Sequence, residues 1–435
     1  METARSAALT VLERCAKRGE WANEGLRKVL KGMEPREAAL ATRLVYGVLQ
    51  NRLWLDEYLR ELSSLSLEKL ELTVLEILRL GGYQILMMDQ IPVRAAVDEA
   101  VKLAKKRGKN PRTAGFVNAI LRNLDRRRGE LSQRLEEKWS GPEEVWQRLS
   151  VRYSHPLWLV EEFAGQLDGD ATRVEALLKE NNALAPMTAQ VNTCKLSSEE
   201  LVKRLEREGV LAREHPWMEN CLLLEGTGNL EELPAFQKGF FYIQDPAAKT
   251  AVLAAAPKAG ERVLDLCAAP GGKSFAAAVA MGDRGEIVSR DVYPWKVQEL
   301  EKSAQRLGLS CVKAMVGDAT KPVEGSFDLV IADVPCSGLG IIGKKPDIRY
   351  KDPADFAALT PLQTAILENA GGVVKPGGRL LYATCTLRRE ENEGRVMAFL
   401  DKRREFSLQC QETLWPQEKG TDGFYYAVLT REVET

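Results

Sequence analysis

Apolar side chains recur every three or four residues through the first third of the chain. The spacing is clear in "ARSAALTVLERCAK", "PREAALATRLVYGVLQNRLWLDEYLRELS", "LEKLELTVLEILRLGGYQILMM" and "VRAAVDEAVKLAKK". This period places apolar residues on one face of an α-helix. The pattern therefore predicts an all-α domain, a helical bundle over residues 1–140.

A mixed pattern follows in residues 141–235. Helical spacing continues in "HPLWLVEEFAGQL", whereas "MTAQVNTCKLSSEELVKRLEREGV" predicts a strand, a turn and a helix. Ser197 or Ser198 can cap that helix, with Glu200 close by. The run "CLLLEG" predicts another strand. We expect linker helices and a small α/β domain here.

Short apolar runs alternate with helical runs from residue 236 to residue 435. The predicted strands are "RVLDL", "EIVSRD", "CVKAMVGD", "FDLVIAD" and "GGRLLYATC", with helices such as "WKVQELEKSAQRLG" between them. Such alternation is typical of a parallel sheet covered by helices on both faces. The end, "FSLQC…DGFYYAVLTRE", predicts a closing antiparallel pair. The third domain is therefore predicted to be α/β and Rossmann-like.

Composition adds limits to this three-domain picture. The chain has 435 residues, of which 45% are hydrophobic and 28% charged, as in soluble globular proteins. It lacks an apolar run of about 18 residues, and its first residues do not resemble a signal peptide. We expect a cytoplasmic protein without membrane contact.

Net charge is −1, so only local patches can favour nucleic acid. The stretch "VKLAKKRGKNPR" is basic and is followed by four more arginines. It is either a face for phosphate contacts or a solvated helix end.

Cysteine and histidine usage narrows the possible chemistry. Eight cysteines contain no C-x-x-C pair, which argues against a disulfide framework, a zinc site or any other resident metal. The two histidines, His155 and His215, both precede the last 200 residues. A Cys–His or Ser–His catalytic pair within the C-terminal domain is therefore excluded.

Glycines and acids follow successive strands of the predicted Rossmann-like domain. The first strand runs into "DLCAAPGGKS", where Gly271 and Gly272 allow close approach of a ligand, and Asp291, Asp318 and Asp333 follow the next three strands. Neither G-x-G-x-x-G nor a P-loop is present, so a nucleoside without phosphates fits best. This favours S-adenosylmethionine. The alternative is that these acids form turns and helix caps.

Two cysteines follow neighbouring predicted strands. Cys336 lies in "ADVPCSGLG" and Cys385 in "YATCTL". Beside a methyl donor, a thiolate that adds to C6 of a cytosine turns C5 into a nucleophile, and a base must then remove the C5 proton. Asp333 can hydrogen-bond the N3 side of the ring. The alternative is that both thiols are small buried side chains.

These motifs resemble those of the RNA cytosine-C5 methyltransferases. The resemblance rests on "VLDLCAAPGGKS", "DVPCSGLG", "KKPDIRY", "YATCTL" and "FYIQDPAAK". The N-terminal run "LVYGVLQNR…AGFVNAILRNL" is similar to NusB-type RNA-binding domains, and "SHPLWLV" and "QVNTCKLS" resemble the connecting region. The resemblance covers nearly the whole chain and is to the branch of the family that modifies 16S ribosomal RNA.

The resemblance implies a role for each matching residue. Cys385 would be the nucleophile, Cys336 would assist product release, and Asp333 would hold the base. The implied partner is 16S ribosomal RNA in an unassembled or partly assembled small subunit, bound by a monomer. The implied cofactor-binding residues are Cys267, Ala268, Ala269, Pro270, Gly271, Gly272, Lys273, Asp291, Asp318 and Asp333.

Two stretches depart from the family pattern. The segment "VYPWKVQEL" lacks the expected arginine-led pattern, and Gln190 stands where an arginine is usual. The second departure puts one RNA contact in doubt.

Basic residues flank both cysteine motifs. They are candidates for phosphate contacts or ordinary surface charges: Lys344, Lys345, Arg349, Arg388 and Arg389. The alternative functions are the same reaction on transfer RNA, DNA cytosine-C5 methylation, a non-catalytic ribosome-assembly scaffold, and a nicotinamide oxidoreductase. Cys385 argues against the DNA enzyme, the pair of cysteines against the scaffold, and the glycine pattern against the oxidoreductase.

Overall fold

The computed structural model describes residues 3–139 and 141–433, which form two compact units. The first unit is Met1–Ala183 with Ile342–Lys351, and the second is Leu184–Ile341 with Asp352–Thr435. This grouping differs from the predicted domains in two places: the helices after residue 141 belong to the helical unit, and so does a ten-residue segment of the C-terminal region. Residues 1, 2, 140, 434 and 435, which include predicted domain ends, lie outside the described residues.

The first unit is built from α-helices, as predicted. Its core is formed by residues such as Leu44, Ile77 and Leu121, all fully buried. The helices are α1 Ala4–Arg18, α2 Ala22–Val29, α3 Pro35–Leu62, α4 Leu72–Met87, α5 Val93–Arg107, α6 Thr113–Glu137, α7 Val145–Tyr153, α8 Leu157–Gln166 and α9 Ala171–Glu180.

Close packing and a buried ionic cluster fix α3 against α4. Gly47 admits the ring of Tyr83, because a Cβ at that position would lie 2.0 Å from its Cζ atom. The Arg79 guanidinium donates to both Asp56 carboxylate oxygens at 2.7 Å and to Glu76 at 2.5 Å. A buried charge needs such partners because desolvation alone would cost several kcal/mol, roughly.

The segment Ile342–Lys351 completes the helical unit through Arg349. This side chain is fully buried, and its guanidinium donates to the Ser154 carbonyl at 3.0 Å and to Asn182 Oδ1 at 3.1 Å. The predicted phosphate contact of Arg349 is therefore wrong, because the guanidinium is buried and forms its hydrogen bonds with groups inside the protein.

A small antiparallel sheet opens the second unit. Its strands are β1 Met187–Val191, β2 Leu211–Glu214, β3 Cys221–Glu225 and β4 Phe241–Ile243, in the order β2-β3-β1-β4. Helices α10 Ser198–Arg207 and α11 Pro234–Gln237 accompany it. Ser197 and Glu200 form the reciprocal capping box at the start of α10. Gln190 is fully buried and donates to the Gln244 carbonyl at 3.0 Å, so its function here is structural.

A seven-stranded sheet follows, with the order β10-β11-β9-β8-β5-β6-β7. Neighbouring strands are parallel from β9 to β7, whereas β11 runs antiparallel to β9 and β10, as predicted for the closing pair. The elements are α12 Pro246–Ala254, β5 Arg262–Asp265, α13 Gly272–Ala280, β6 Glu286–Asp291, α14 Pro294–Leu307, β7 Val312–Val316, β8 Phe327–Asp333, α15 Leu359–Gly372, β9 Val374–Thr384, α16 Glu393–Lys402, β10 Phe406–Leu414, α17 Pro416–Lys419 and β11 Phe424–Arg431.

Successive side chains of these strands point to opposite faces of the large sheet, and a hydrophobic core lies on each face. In β9, Leu381 packs into one core and Tyr382 into the other. The chain runs from β5 outward through β6 and β7, then returns to β8 on the other side of β5. This reversal creates a crevice beyond the carboxyl ends of β5 and β8, which is where doubly wound sheets bind ligands.

Candidate active site

The loop between β5 and α13 forms one wall of this crevice. It contains a cis peptide bond at Ala269–Pro270, and the Ala268 amide donates to the Arg290 carbonyl at 2.7 Å. Gly271 has a φ of 111°, and a Cβ there would lie 2.3 Å from the Phe275 ring. Only glycine fits this turn, which leads directly into the N-terminus of α13, the end of a helix that favours polar and anionic groups.

Asp265 ends β5 as a fully buried carboxylic acid. The Ser274 hydroxyl donates to its Oδ2 at 2.8 Å, while Oδ1 has no hydrogen-bond partner among the described atoms. Burial raises the pKa of Asp265 to about 7, because a carboxylate is poorly solvated there, and Asp333 adds to the rise.

The two acids predicted for the nucleoside lie at the same edge of the sheet. Asp291 is the last residue of β6, and its Oδ1 accepts from the Tyr293 amide at 3.0 Å. Asp318 lies two residues beyond the end of β7 and accepts from the Thr320 amide at 2.9 Å and from its hydroxyl at 2.7 Å. These hydrogen bonds, the amide's first, lower the pKa of Asp318. Both of these hydrogen bonds are accepted by one oxygen of Asp318, Oδ1.

Exposed apolar side chains follow Asp291 directly. Val292, Tyr293 and Trp295 lie in the stretch that departs from the family pattern, and each is about half exposed. Met315 on the neighbouring β7 is equally exposed. Flat apolar surface at this edge suits a heteroaromatic ring.

Lys273 and Asp333 join the cofactor loop to the end of β8. The Lys273 ammonium lies 2.6 Å from Asp333 Oδ2 and 4.9 Å from the centre of the Phe424 ring. Burial opposes the charged form of Lys273, but the attraction of Asp333 outweighs it and raises the pKa of the ammonium. A fixed positive charge therefore lies inside the crevice.

The two cysteines meet at the ends of β8 and β9. Their Sγ atoms are 3.4 Å apart, close enough for one thiol to donate to the other. The Val334 amide donates to the Ala383 carbonyl at 3.1 Å and the Gly340 amide to the Cys385 carbonyl at 3.0 Å, so both loops are tied together. The hydrogen bond with Cys385, and then burial, raise the pKa of Cys336.

A buried polar network supports the pair, and it was missed from the sequence. Glu391 Oε2 accepts from the Ser337 amide at 2.9 Å and from Gln363 Nε2 at 2.9 Å, and the Ser337 and Thr386 hydroxyls are 2.7 Å apart. Asn392 donates to the Thr386 carbonyl at 3.0 Å. In the sequence, Glu391 belongs to the charged run "RREENEG", which is typical of a solvated turn.

The remaining basic candidates differ in exposure. Lys344, Lys345 and Arg389 are exposed, whereas Arg388 is mostly covered and pairs with Glu390 at 2.5 Å. Three of the four remaining candidates thus lie at the protein surface, whereas Arg388 does not.

Within residues 3–139 and 141–433, no group of three His, Cys, Asp or Glu side chains is placed to hold a metal ion. No helix of the same residues is long and apolar enough to cross a bilayer.

Comparison with known proteins gives matches along almost the whole chain. The family model described as 16S rRNA methyltransferase RsmB/F matches residues 252–430, the NusB family model matches residues 2–126, and a ferredoxin-like domain of RsmF/B-like methyltransferases matches residues 155–231. These ranges follow the order of the three predicted domains.

Two curated relatives illustrate the likeness. The probable ribosomal RNA small subunit methyltransferase B of Bacillus subtilis is 35% identical, over 98% of this chain and 98% of the relative. The ribosomal RNA small subunit methyltransferase B of Vibrio cholerae is 33% identical, over 98% and 97%.

Solved structures agree with this likeness. The protein PH0851 is 27% identical, with a TM-score of 0.79 over 98% of each chain. A methyltransferase homolog from Pyrococcus horikoshii is 27% identical, with a TM-score of 0.59 over 67% of this chain and 99% of that one.

Proposed function

Because the chain belongs to the 16S rRNA methyltransferase RsmB/F family, we propose that it methylates carbon 5 of a cytosine in 16S ribosomal RNA, with S-adenosylmethionine as the methyl donor. The observation that carries the choice of carbon 5 is the pair of thiols, Cys336 and Cys385, 3.4 Å apart at the crevice. Oxygen and nitrogen atoms need no covalent help to accept a methyl group, whereas a pyrimidine carbon does.

The crevice fits S-adenosylmethionine. The unpartnered, buried Oδ1 of Asp265 is a feature that a polar ligand would satisfy, and the tight turn at Gly271 brings the chain directly into the N-terminus of α13 beside it. The loop Cys267–Lys273 would hold the amino-acid end, Asp291 the ribose hydroxyls, and Asp318 the adenine edge. When bound, the cofactor supplies an electrophilic methyl group.

The two thiols divide the chemistry on the base. The Cys385 thiolate would add to C6, and Asp333 would hydrogen-bond the N3 side of the ring, so that C5 would gain the electron density it needs to accept a methyl group. Cys336 then removes the C5 proton, and the bond between C6 and Cys385 breaks. Lys273 keeps Asp333 in place through their 2.6 Å ion pair.

The target cytosine must leave its base stack to reach the thiols. This requirement favours loop RNA in an unassembled or partly assembled subunit in the cytoplasm, contacted by a single chain. Lys344, Lys345 and Arg389 are the phosphate contacts that we propose, together with the basic face of the predicted domain 1–140.

Covalent trapping tests the assignment of the two thiols. The unchanged chain and its Cys336→Ala and Cys385→Ala variants are incubated with 16S ribosomal RNA and S-adenosylmethionine, then separated under denaturing conditions. Cys336→Ala should accumulate a protein–RNA adduct because release is blocked, whereas Cys385→Ala should form none. An adduct in Cys385→Ala alone would reverse the roles, and methyl transfer without either thiol would refute the mechanism.

A further inference from the structure

We infer that the buried carboxylate of Glu391 decides which of the two cysteines becomes the thiolate: it disfavours negative charge on Cys336 and leaves that charge to Cys385. Glu391 is thus a positioning residue that acts through the thiol pair. The inference rests on the proposed function, in which Cys385 is the nucleophile.

Glu391 lies directly behind the Cys336 loop. Its side chain is completely buried, and Oε2 accepts from the amide of Ser337, the residue next to Cys336. Gln363 donates to the same oxygen and also to the Pro335 carbonyl at 3.0 Å, on the other side of Cys336. The carboxylate is therefore held against the backbone on both sides of this cysteine.

The second oxygen of Glu391 is poorly neutralised. Oε1 has no hydrogen-bond partner among the described atoms, and the Arg388 guanidinium lies 3.6 Å from it. Arg388 is closer to Glu390, at 2.5 Å. Most of the Glu391 charge thus remains to act on its surroundings, and its repulsion contributes to the raised pKa of Cys336.

A positive charge acts on the other member of the pair. The buried Lys273 ammonium, held by Asp333, lies near enough to Cys385 for a thiolate there to favour the charged lysine. Cys385 therefore has a cation as its neighbour, whereas Cys336 has the Glu391 anion and, on β9, the Tyr382 phenol, whose hydroxyl donates to the Glu391 carbonyl. Charged groups of opposite sign thus lie beside the two sulfurs, which are 3.4 Å apart, and we infer that they set the direction of the field across the pair.

The proton balance follows from this field. Of the two thiol protons, one leaves to solvent and the other stays on Cys336, where the S–H donates to the Cys385 thiolate. When Cys385 forms its bond to C6 of the base, its electron pair is used and Cys336 still holds its proton. Cys336 must release that proton to solvent before it can accept the C5 proton in the elimination. Reversed charges would put the first thiolate on Cys336, whose task begins only after the bond to C6 has formed.

Alkylation of the RNA-free protein measures the order of the thiols directly, because the thiolate is the form that reacts. Full-length protein is treated briefly with iodoacetamide between pH 6 and 9, and mass spectrometry gives the initial rates at Cys336 and Cys385. We expect Cys385 to be alkylated faster than Cys336, the thiol beside the Glu391 carboxylate. In Glu391→Gln the ratio of the Cys385 rate to the Cys336 rate should fall about tenfold. The repulsion of one charge at a distance of a few ångströms changes the ionisation of a thiol by at least that factor in a protein interior.

The substitution Glu391→Gln preserves the shape of the site. Its amide oxygen can still accept from Ser337, and Gln363 can turn its unpartnered oxygen toward the new amide. Glu368→Gln is the matched control, because this carboxylate on α15 is partly exposed and pairs with Lys402 and Arg403 rather than with Arg388. It should leave the ratio unchanged.

Arg388→Met tests the same field in the opposite direction. Loss of this cation leaves Glu391 less neutralised, so the ratio should move further toward Cys385. It decides the question if Glu391→Gln does not fold, as judged by its thermal unfolding. An unchanged ratio in a folded Glu391→Gln, or a shift toward Cys336 in Arg388→Met, would overturn the inference.

Failure of this inference and failure of the proposed function are distinguishable. The alkylation ratio needs neither RNA nor cofactor, whereas methyl transfer to ribosomal RNA needs both. A protein that methylates another RNA would still show the predicted ratios, and a 16S methyltransferase with unordered thiols would not.

Discussion

Substitution of Gly340 by alanine should misplace both cysteine loops at once. A Cβ on Gly340 would lie 1.8 Å from the Gly423 carbonyl oxygen and 2.9 Å from the Cys385 carbonyl oxygen. Both obstacles are backbone atoms, so no side-chain rotation relieves the contact. Two hydrogen bonds hold these backbone segments together. The Gly340 amide donates to the Cys385 carbonyl at 3.0 Å, and the Gly423 amide donates to the Gly340 carbonyl at 2.8 Å.

The size of the effect follows from these distances. Real Cβ atoms do not approach other atoms within 3.0 Å, so the loop after Cys336 must move by more than about 1 Å. Overpacking of this kind costs about 1–3 kcal/mol of stability. A displacement of about 1 Å at reacting groups lowers the rate about 100-fold. We therefore expect Gly340→Ala to lose about 100-fold in kcat while the protein remains folded at 25 °C.

The assay is transfer of a radiolabelled methyl group to 16S ribosomal RNA, together with thermal unfolding. Gly343→Ala is the control, because its Cβ would meet only the Asn181 carbonyl oxygen at 3.7 Å, an ordinary contact. Gly340→Ala with the kcat of the control would refute the argument that the backbone approach at Gly340 aligns the two thiols.

Two further predictions concern stability. Asp265→Asn should stabilise the protein at pH 8 by as much as about 4 kcal/mol, since the folded state holds a proton up to about pH 7 that the unfolded chain releases near pH 4. The stability of the unchanged chain falls as pH rises from about 4 to about 7, so the stabilisation by Asp265→Asn should vanish near pH 4. Denaturant titrations in which this stabilisation does not depend on pH would contradict the assigned pKa. Arg349→Ala should cost about 2–4 kcal/mol, because it leaves Asn182 and the Ser154 carbonyl without their buried donor. The exposed Lys345→Ala should cost less than about 0.5 kcal/mol in the same unfolding experiment, and equal losses would contradict the burial of Arg349.

Much of the catalytic fold was predictable because strands and helices alternate along this part of the sequence. Strands such as "FDLVIAD" are apolar on both faces, and the residue that ends each one must lie at the same edge of a parallel sheet. Asp291 and Asp333 were therefore placed correctly at strand ends, and the neighbouring positions of Cys336 and Cys385 followed. The helical bundle was equally predictable, because its apolar residues recur every three or four residues over long stretches of sequence.

The roles of individual charged residues were not predictable in this way. Arg349 is hydrophilic, and nothing near it in the sequence indicates that a carbonyl group 195 residues away accepts its hydrogen bond. Glu391 stands in a run of acids and arginines that resembles a solvated turn, yet it is buried. Whether such a charge is exposed depends on partners that only the folded chain brings together.

The assignment of Ile342–Lys351 to the helical unit has a consequence for how the protein can be divided. The chain passes between the two units three times, after residues 183, 341 and 351. A single cut at the first junction would leave two covalent links in place. A gene fragment that begins at Leu184 would still encode ten residues whose fold belongs elsewhere, with Ile348 and Arg349 stripped of their surroundings. The helical unit is therefore not a detachable module, and recombination that exchanged it would have to replace both pieces together.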